Sequence, residues 1–296
     1  MQQNNDKFKL SDKFLENYKG KQPNWGFGTL SYFTYKRTYS RLMDDGTQEE
    51  FYDTIKRCVE GSFTIQLRHC KNSHLPWDAY RAQKSAQVMF KKMWEFKFLP
   101  PGRGLWIMGT PIVDKIGSAA LNNCATTSTK DIDKDFAEPF AWAADMLMLG
   151  VGVGYDTLGA GKVEIPHNVS SSFSTYTIPD TREGWVEAIR VLLNNYANAT
   201  HGILDFDYSL IRPAGSPIKG FGGTASGPEP LREGIESISK LLNSYQGKKL
   251  DSVGIVDIMN YIGKFVVAGN VRRSAELALG SIDDMPFITM KDYNLY

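Results

Sequence analysis

Gly269-Asn270-Val271-Arg272-Arg273-Ser274-Ala275-Glu276 sets a Gly-Asn turn and two adjacent guanidinium groups between an apolar helix and an apolar strand. Upstream, Ile255, Ile258, Met259, Ile262, Phe265 and Val266 recur at helical spacing, and downstream Ala275 to Leu279 alternates as a half-buried strand does. Arg272 and Arg273 cannot both face the core, so at least one reaches outward, where a planar five-donor fork suits anionic oxygens or the face of a base. The same pair would also serve as cations against a helix dipole. The loop alone does not choose between these roles, and the segments around it must.

Working backwards, strands and helices alternate from residue 120 onward, the signature of an α/β layer or barrel. Helices are expected at 229–245 and 252–268. Before them, Arg212-Pro213-Ala214-Gly215-Ser216-Pro217-Ile218-Lys219-Gly220-Phe221-Gly222-Gly223-Thr224-Ala225-Ser226-Gly227-Pro228 joins five glycines to Arg212 and Lys219. Free backbone donors in such a loop, followed by a helix N-terminus, make an anion site by geometry. A strand over 203–211 feeds this loop. Asp180-Thr181-Arg182-Glu183 opens a helix running to Asn198 with a capping box, and Trp185, Ile189, Leu192 or Leu193, and Tyr196 give it one apolar face. Residues 157–178 are turn-rich and polar and read as an insertion.

Gly150-Val151-Gly152-Val153-Gly154-Tyr155-Asp156 reads as a glycine-rich strand against which something packs closely. It is no dinucleotide fingerprint, because the pattern fails after Gly154, and Gly161-Lys162 is followed by Val163, which excludes a P-loop. Asp135 and Glu138 form a capping box for a helix ending at Leu149. Leu121-Asn122-Asn123-Cys124-Ala125-Thr126-Thr127 suits a strand whose polar positions point into a cavity, although a lone cysteine is by default a buried, inert thiol.

The first hundred residues read as mostly helical: a short helix over 7–19, an aromatic and basic arm over 32–41, then helices at 48–60 and 77–96 with Tyr80, Met89, Met93 and Phe96 among the apolar positions. Cys58, His69, Cys70 and His74 match no common zinc spacing, so no metal site is expected. Phe98-Leu99-Pro100-Pro101-Gly102-Arg103-Gly104-Leu105-Trp106 breaks the last helix and leads to Met108-Gly109-Thr110-Pro111, where the Thr110 hydroxyl either binds phosphate or closes a turn.

Composition bounds the rest. A chain of 296 residues, 42% apolar and 12% aromatic, has material for a large core, and 34 Lys and Arg against 33 Asp and Glu leave a net charge of +1. No global field draws it to DNA or to a membrane, so any anion site is local. With no run of eighteen apolar residues, no basic and apolar leader and an odd number of cysteines lacking any CxxC, the expectation is a cytoplasmic protein whose thiols are not a disulfide framework.

Six strings together, in order and spacing, resemble the adenosylcobalamin-dependent ribonucleoside-triphosphate reductases, the monomeric class II ribonucleotide reductases. They are Phe98 to Trp106, Leu121 to Cys124, Gly152-Val153-Gly154, Pro179-Asp180-Thr181-Arg182-Glu183-Gly184-Trp185, Phe221 to Pro228 and Val267 to Glu276. The resemblance implies an N-terminal mainly helical region over 1–107 and the first half of a ten-stranded α/β reductase barrel over 108–296, with 157–210 an insertion completing an effector site.

The resemblance also implies chemistry: a thiyl radical removes hydrogen from the substrate ribose and a cysteine pair reduces its 2′ carbon. Cys124 matches one member of that pair, which overturns the inert default. Thr110 and Asn123 match positions beside the substrate. Asp180, Arg212, Lys219, Gly222, Gly223, Asn270, Arg272 and Arg273 fall in the loops through which a deoxynucleoside triphosphate effector selects the base reduced, although Asp180 equally well caps its helix. The thiyl cysteine, the second redox cysteine, most of the adenosylcobalamin region and the final reducing cysteines would follow Tyr296. The expectation is therefore the N-terminal portion of a monomeric reductase, inactive without the C-terminal half and served by a thioredoxin-like or dithiol reductant. The alternative is a catalytically inactive deoxynucleotide-binding remnant or regulatory module.

Overall fold

A computed structural model of the chain describes residues 7–26, 28–43, 45–168, 171–197, 202–217, 224–268 and 275–294. It divides into two compact units, Met1–Asn122 and Asn123–Tyr296, so the helical unit takes in residues beyond the 107/108 boundary read from the sequence.

In the first unit the helices are α1 (Asp12–Leu15), α2 (Thr29–Thr38), α3 (Phe51–Asn72), α4 (Ala79–Trp94), α5 (Gly102–Ile107) and α6 (Pro111–Ile116), followed by a 3-10 turn at Ser118–Leu121. A helix over 7–19 does not form as such. Phe8 and Leu10 alternate into the core of an extended segment, where the Phe8 N–H donates to Thr64 Oγ1 and the Leu10 N–H to Glu60, and only Asp12–Leu15 is α-helical. The arm read over 32–41 is largely α2.

α3 starts on a reciprocal cap between Glu50 and Asp53 and runs past the expected end at Glu60, because Ile55, Val59, Phe63 and Leu67 continue one buried stripe at intervals of four. Gly61 interrupts it for a reason outside the helix. A Cβ there would lie 2.5 Å from Gly109 Cα, so the 108–110 backbone crosses α3 in direct contact. α4 is capped by Asp78, whose side chain accepts from the Arg81 N–H, and it buries Ala82, Ala86, Phe90 and Met93 while Tyr80 faces solvent.

The second unit holds β1 (Cys124–Thr127), α7 (Glu138–Met148), β2 (Gly152–Asp156), β3 (Glu164–Ile165), β4 (Phe173–Thr177), α8 (Arg182–Ala197), β5 (Ile203–Asp207), α9 (Glu229–Ser244), β6 (Lys248–Lys249), α10 (Ser252–Val267), β7 (Glu276–Leu279) and α11 (Met285–Thr289). β1, β2 and β7 form a parallel sheet with β2 central, and α7 and α10 pack on one another as βαβ connections require. Val153 and Tyr155 point from β2 into a core with Phe140, Leu147, Ile258, Ile262 and Phe265. Each such side chain contributes about 1.5–3 kcal/mol by leaving water.

The described parts of 157–178 carry more regular structure than their polar sequence suggests. β3 pairs antiparallel with β6, and β4 pairs parallel with β5. β5 ends at Asp207, short of the expected Ile211, because the Asp207 carboxylate accepts the Ser209 N–H and hydroxyl and turns the chain.

Candidate functional site

The sheet β1-β2-β7 has two unlike faces. Cys124 lies opposite Gly152, Thr126 opposite Gly154, and Gly154 opposite Leu277, so these residues share one face, while Val153, Tyr155 and Glu276 share the helix-covered face. Cys124 is exposed, and Leu277 and Leu279 on its side are 62% and 55% exposed. An added Cβ at Gly152 would meet nothing nearer than the Asn123 carbonyl at 3.6 Å, whereas at Gly154 it would press on Thr126 Cγ2 at 3.2 Å. The glycine beside the thiol is therefore not demanded by this chain's own packing. Asn123, also exposed, accepts the Gly152 N–H on its carbonyl at 2.8 Å, fixing the strand that carries Cys124.

Thr110 sits in the helical unit at the loop that crosses α3. It is 4% exposed, and its hydroxyl donates to the Ile107 carbonyl at 2.7 Å, so here it closes a turn and would have to swing away to donate to a phosphate. The loop is held from beneath by Arg57. Its guanidinium donates to the Met108 carbonyl at 2.5 Å and the Leu105 carbonyl at 2.9 Å, and it grips both oxygens of buried Glu49 at 2.6 and 2.8 Å. That fork geometry is specific to arginine. Cys58, next along α3, gives its thiol proton to the Gly104 carbonyl at 3.3 Å, and burial pushes it up to about 12, the group of an inert core thiol. Among the described residues no cluster of three His, Cys, Asp or Glu side chains is placed to hold a metal ion.

Asp180 neither caps its helix nor stands free. The cap of α8 is Thr181, whose hydroxyl oxygen accepts the Gly184 N–H at 2.9 Å, and Asp180 instead accepts Arg212 Nε at 2.7 Å. Arg212, just after β5, is thereby tied to the start of α8. Arg182 pairs with Asp145 of α7 and with Glu183. Lys219, Gly222, Gly223, Asn270, Arg272 and Arg273 lie outside the described residues. A groove of about 370 Å³ runs between β5 and α9, where the Arg232 guanidinium lies 4.4 Å from the centre of the Tyr208 ring with Lys240, Glu236 and Asp205 alongside.

Glu276 is the residue that sequence reading passed over. In the run Ala275 to Leu279 the alternation is clear but not which set is inside: the leucines face outward and the carboxyl faces the helices. Burial pushes that carboxyl up to about 7, and its Oε1 is buried without a hydrogen-bond partner among the described residues. No local sequence pattern marked it, because its place beside Val153 is set by the pairing of β7 with β2.

Comparison with known proteins places these features. Residues 10–110 match the ribonucleotide reductase alpha domain, and residues 156–242 match the B12-dependent ribonucleotide reductase insertion domain, which extends beyond 157–210 through the glycine-rich loop and most of α9. The chain is 43% identical to a probable adenosylcobalamin-dependent ribonucleoside-triphosphate reductase of Dictyostelium discoideum and 46% identical to the reductase of that name from Euglena gracilis, in each case over 97% of this chain and 40% of the relative. The Lactobacillus leichmannii reductase is 35% identical over 97% of this chain and 45% of its own length. A crystal structure of a B12-dependent, class II ribonucleotide reductase superposes with a TM-score of 0.84 at 32% identity, covering 97% of this chain and 46% of that one. The chain thus spans about two fifths of the length of the curated relatives it matches, from their N-terminal portion. With both family domains in order along the sequence, a class II reductase fold across nearly all of its residues, and relatives that agree in kind, the chain belongs to the B12-dependent, class II ribonucleotide reductases.

Proposed function

We propose that this chain supplies the N-terminal part of an adenosylcobalamin-dependent ribonucleoside-triphosphate reductase, which converts ribonucleoside triphosphates to 2′-deoxyribonucleoside triphosphates by thiyl radical chemistry. The observation that carries the reading is the exposed thiol of Cys124 on an open sheet face, with Gly152 leaving room beside it. In the reaction the 2′ carbon–oxygen bond breaks and the hydroxyl leaves as water, a carbon–hydrogen bond forms at 2′, and two thiols become one disulfide, giving up two electrons and two protons. Cys124 is one of those thiols. Its partner, the thiyl cysteine and the C-terminal half belong to the part of the relatives' length that this chain does not match, and a dithiol or thioredoxin-like protein then reduces the disulfide.

Most of the adenosylcobalamin site would lie in the part of the relatives' length that this chain does not match. Residues 211–223 and 269–276, with the Asp180–Arg212 pair tying the first loop to α8, form the deoxynucleoside triphosphate effector site, and the insertion completes it within one monomer.

The test uses this chain together with the unmatched portion of a relative, adenosylcobalamin, a dithiol and a ribonucleoside triphosphate. Deoxynucleotide should form, and Cys124→Ser should lower turnover by at least a thousandfold while leaving the melting temperature within a degree. Equal turnover by the serine variant would sink the assignment, and nucleotide binding without turnover in the wild type would leave only a binding module.

A further inference from the structure

Glu276 opens β7 directly after residues 269–274, and its carboxyl lies against α10. A Cβ built at Gly263 of α10 would stand 2.9 Å from Glu276 Oε1 and 3.2 Å from Oε2, so the glycine leaves a notch that the carboxyl fills. Oε1 is buried there, and among the described residues no donor reaches it. Among the described residues the surrounding groups supply no counter-charge: β2 brings Tyr155, whose hydroxyl is raised first by burial and then by Glu276 and Asp257, and α10 carries Asp257, itself raised by burial and by Asp251. Lys264, the next cation along α10, reaches instead toward Glu233 at 3.9 Å.

An ionised carboxylate in that half-buried notch would keep part of its charge at a buried oxygen without a donor, whereas the neutral acid costs less to hold there. Ionisation can be relieved by moving the side chain out, and the strand start to which it is attached moves with it. We propose that Glu276 is a proton-operated latch: neutral, it seats in the Gly263 notch and pins the start of β7 to α10; ionised, it leaves the notch and frees the strand end that follows residues 269–274. The latch stands independently of the reductase reading. Where that reading holds, it sets the footing of the second effector loop.

Because burial pushes the folded carboxyl up to about 7, above an ordinary glutamate, its contribution is complete below the unfolded value and is lost as pH rises through the folded one. The test is hydrogen exchange in the full chain at the Val153 amide, which donates to the Ala275 carbonyl at 2.9 Å at the base of β7. After correction for intrinsic exchange, opening should increase at least tenfold from pH 5.5 to pH 8.5 in the wild type and stay flat in Glu276→Gln. Asp257→Asn should keep the wild-type slope. Gly263→Ala fills the notch and should be open and flat at every pH, which preserves the test if the glutamine variant folds poorly. Parallel profiles for wild type and Glu276→Gln, a sloping Gly263→Ala profile, or a slope abolished only by Asp257→Asn, would overturn the latch.

Discussion

The chain's three cysteines show how far a residue's identity falls short of its role. Cys58, Cys70 and Cys124 are equal as letters, yet one is buried, one half-buried and one exposed. Burial pushes the Cys58 thiol up to about 12, which suppresses its thiolate at neutral pH, and only the thiolate is the nucleophile. A maleimide should therefore label Cys124 before the other two in the folded chain and reach Cys58 only after denaturant is added, as mass spectrometry of the labelled peptides would show; early labelling of Cys58 would mean that α3 is not packed as described. Sequence strings pointed to Cys124 by resemblance, and the structure leaves its thiol exposed. Asp180 was not legible in the same way. Cap and effector ligand were the two roles open to it, and the pairing with Arg212, 32 residues on, depends on how β5 returns to α8, which no local pattern encodes.

At the scale of elements, the α/β alternation after residue 120 was readable because each helix keeps a 3.6-residue stripe and each strand a period of two. What periodicity cannot state is which face is inside, and β7 shows the consequence: the leucines lie on the Cys124 side and the glutamate on the core side. Helix length suffered for a different reason. The helix expected over 48–60 runs on to Asn72 as α3, and Gly61 within it is a crossing point, where a Cβ would sit 2.5 Å from the Gly109 backbone, and Gly109 itself holds a φ of +75° beneath the Arg57 carbonyl. Gly61→Ala improves helix propensity by up to about 1 kcal/mol. It also forces two backbones apart, at a cost of about 1–3 kcal/mol. The second effect wins. Thermal unfolding of the variant should come several degrees lower, with faster hydrogen exchange at residues 108–110; an unchanged or higher melting temperature would show that the 108–110 crossing is not held against α3.

For the molecule as a whole, the described sheet is three strands wide, and each outer strand, β1 and β7, has a single neighbour. Open parallel edges and an uncovered sheet face are poorly tolerated, since parallel sheets are ordinarily covered on both sides. Here that face carries Leu277 and Leu279, and beyond it Ile282 is 85% and Met285 59% exposed, a concentration of apolar surface in one stretch of chain. Relatives are about two and a half times as long as the part matched here, so the proposed reading places their remaining strands against these edges. Co-expression with that portion of the Euglena gracilis or Dictyostelium discoideum protein should give a one-to-one complex with a melting temperature raised by several degrees, because burial of this surface stabilises only the folded chain. Exchange at the β1 and β7 amides should slow by at least tenfold in the complex while α3 and α4 are unaffected. If no complex forms and the chain alone stays monodisperse at high concentration, the exposed leucine face has another occupant and the reductase barrel is not completed across it.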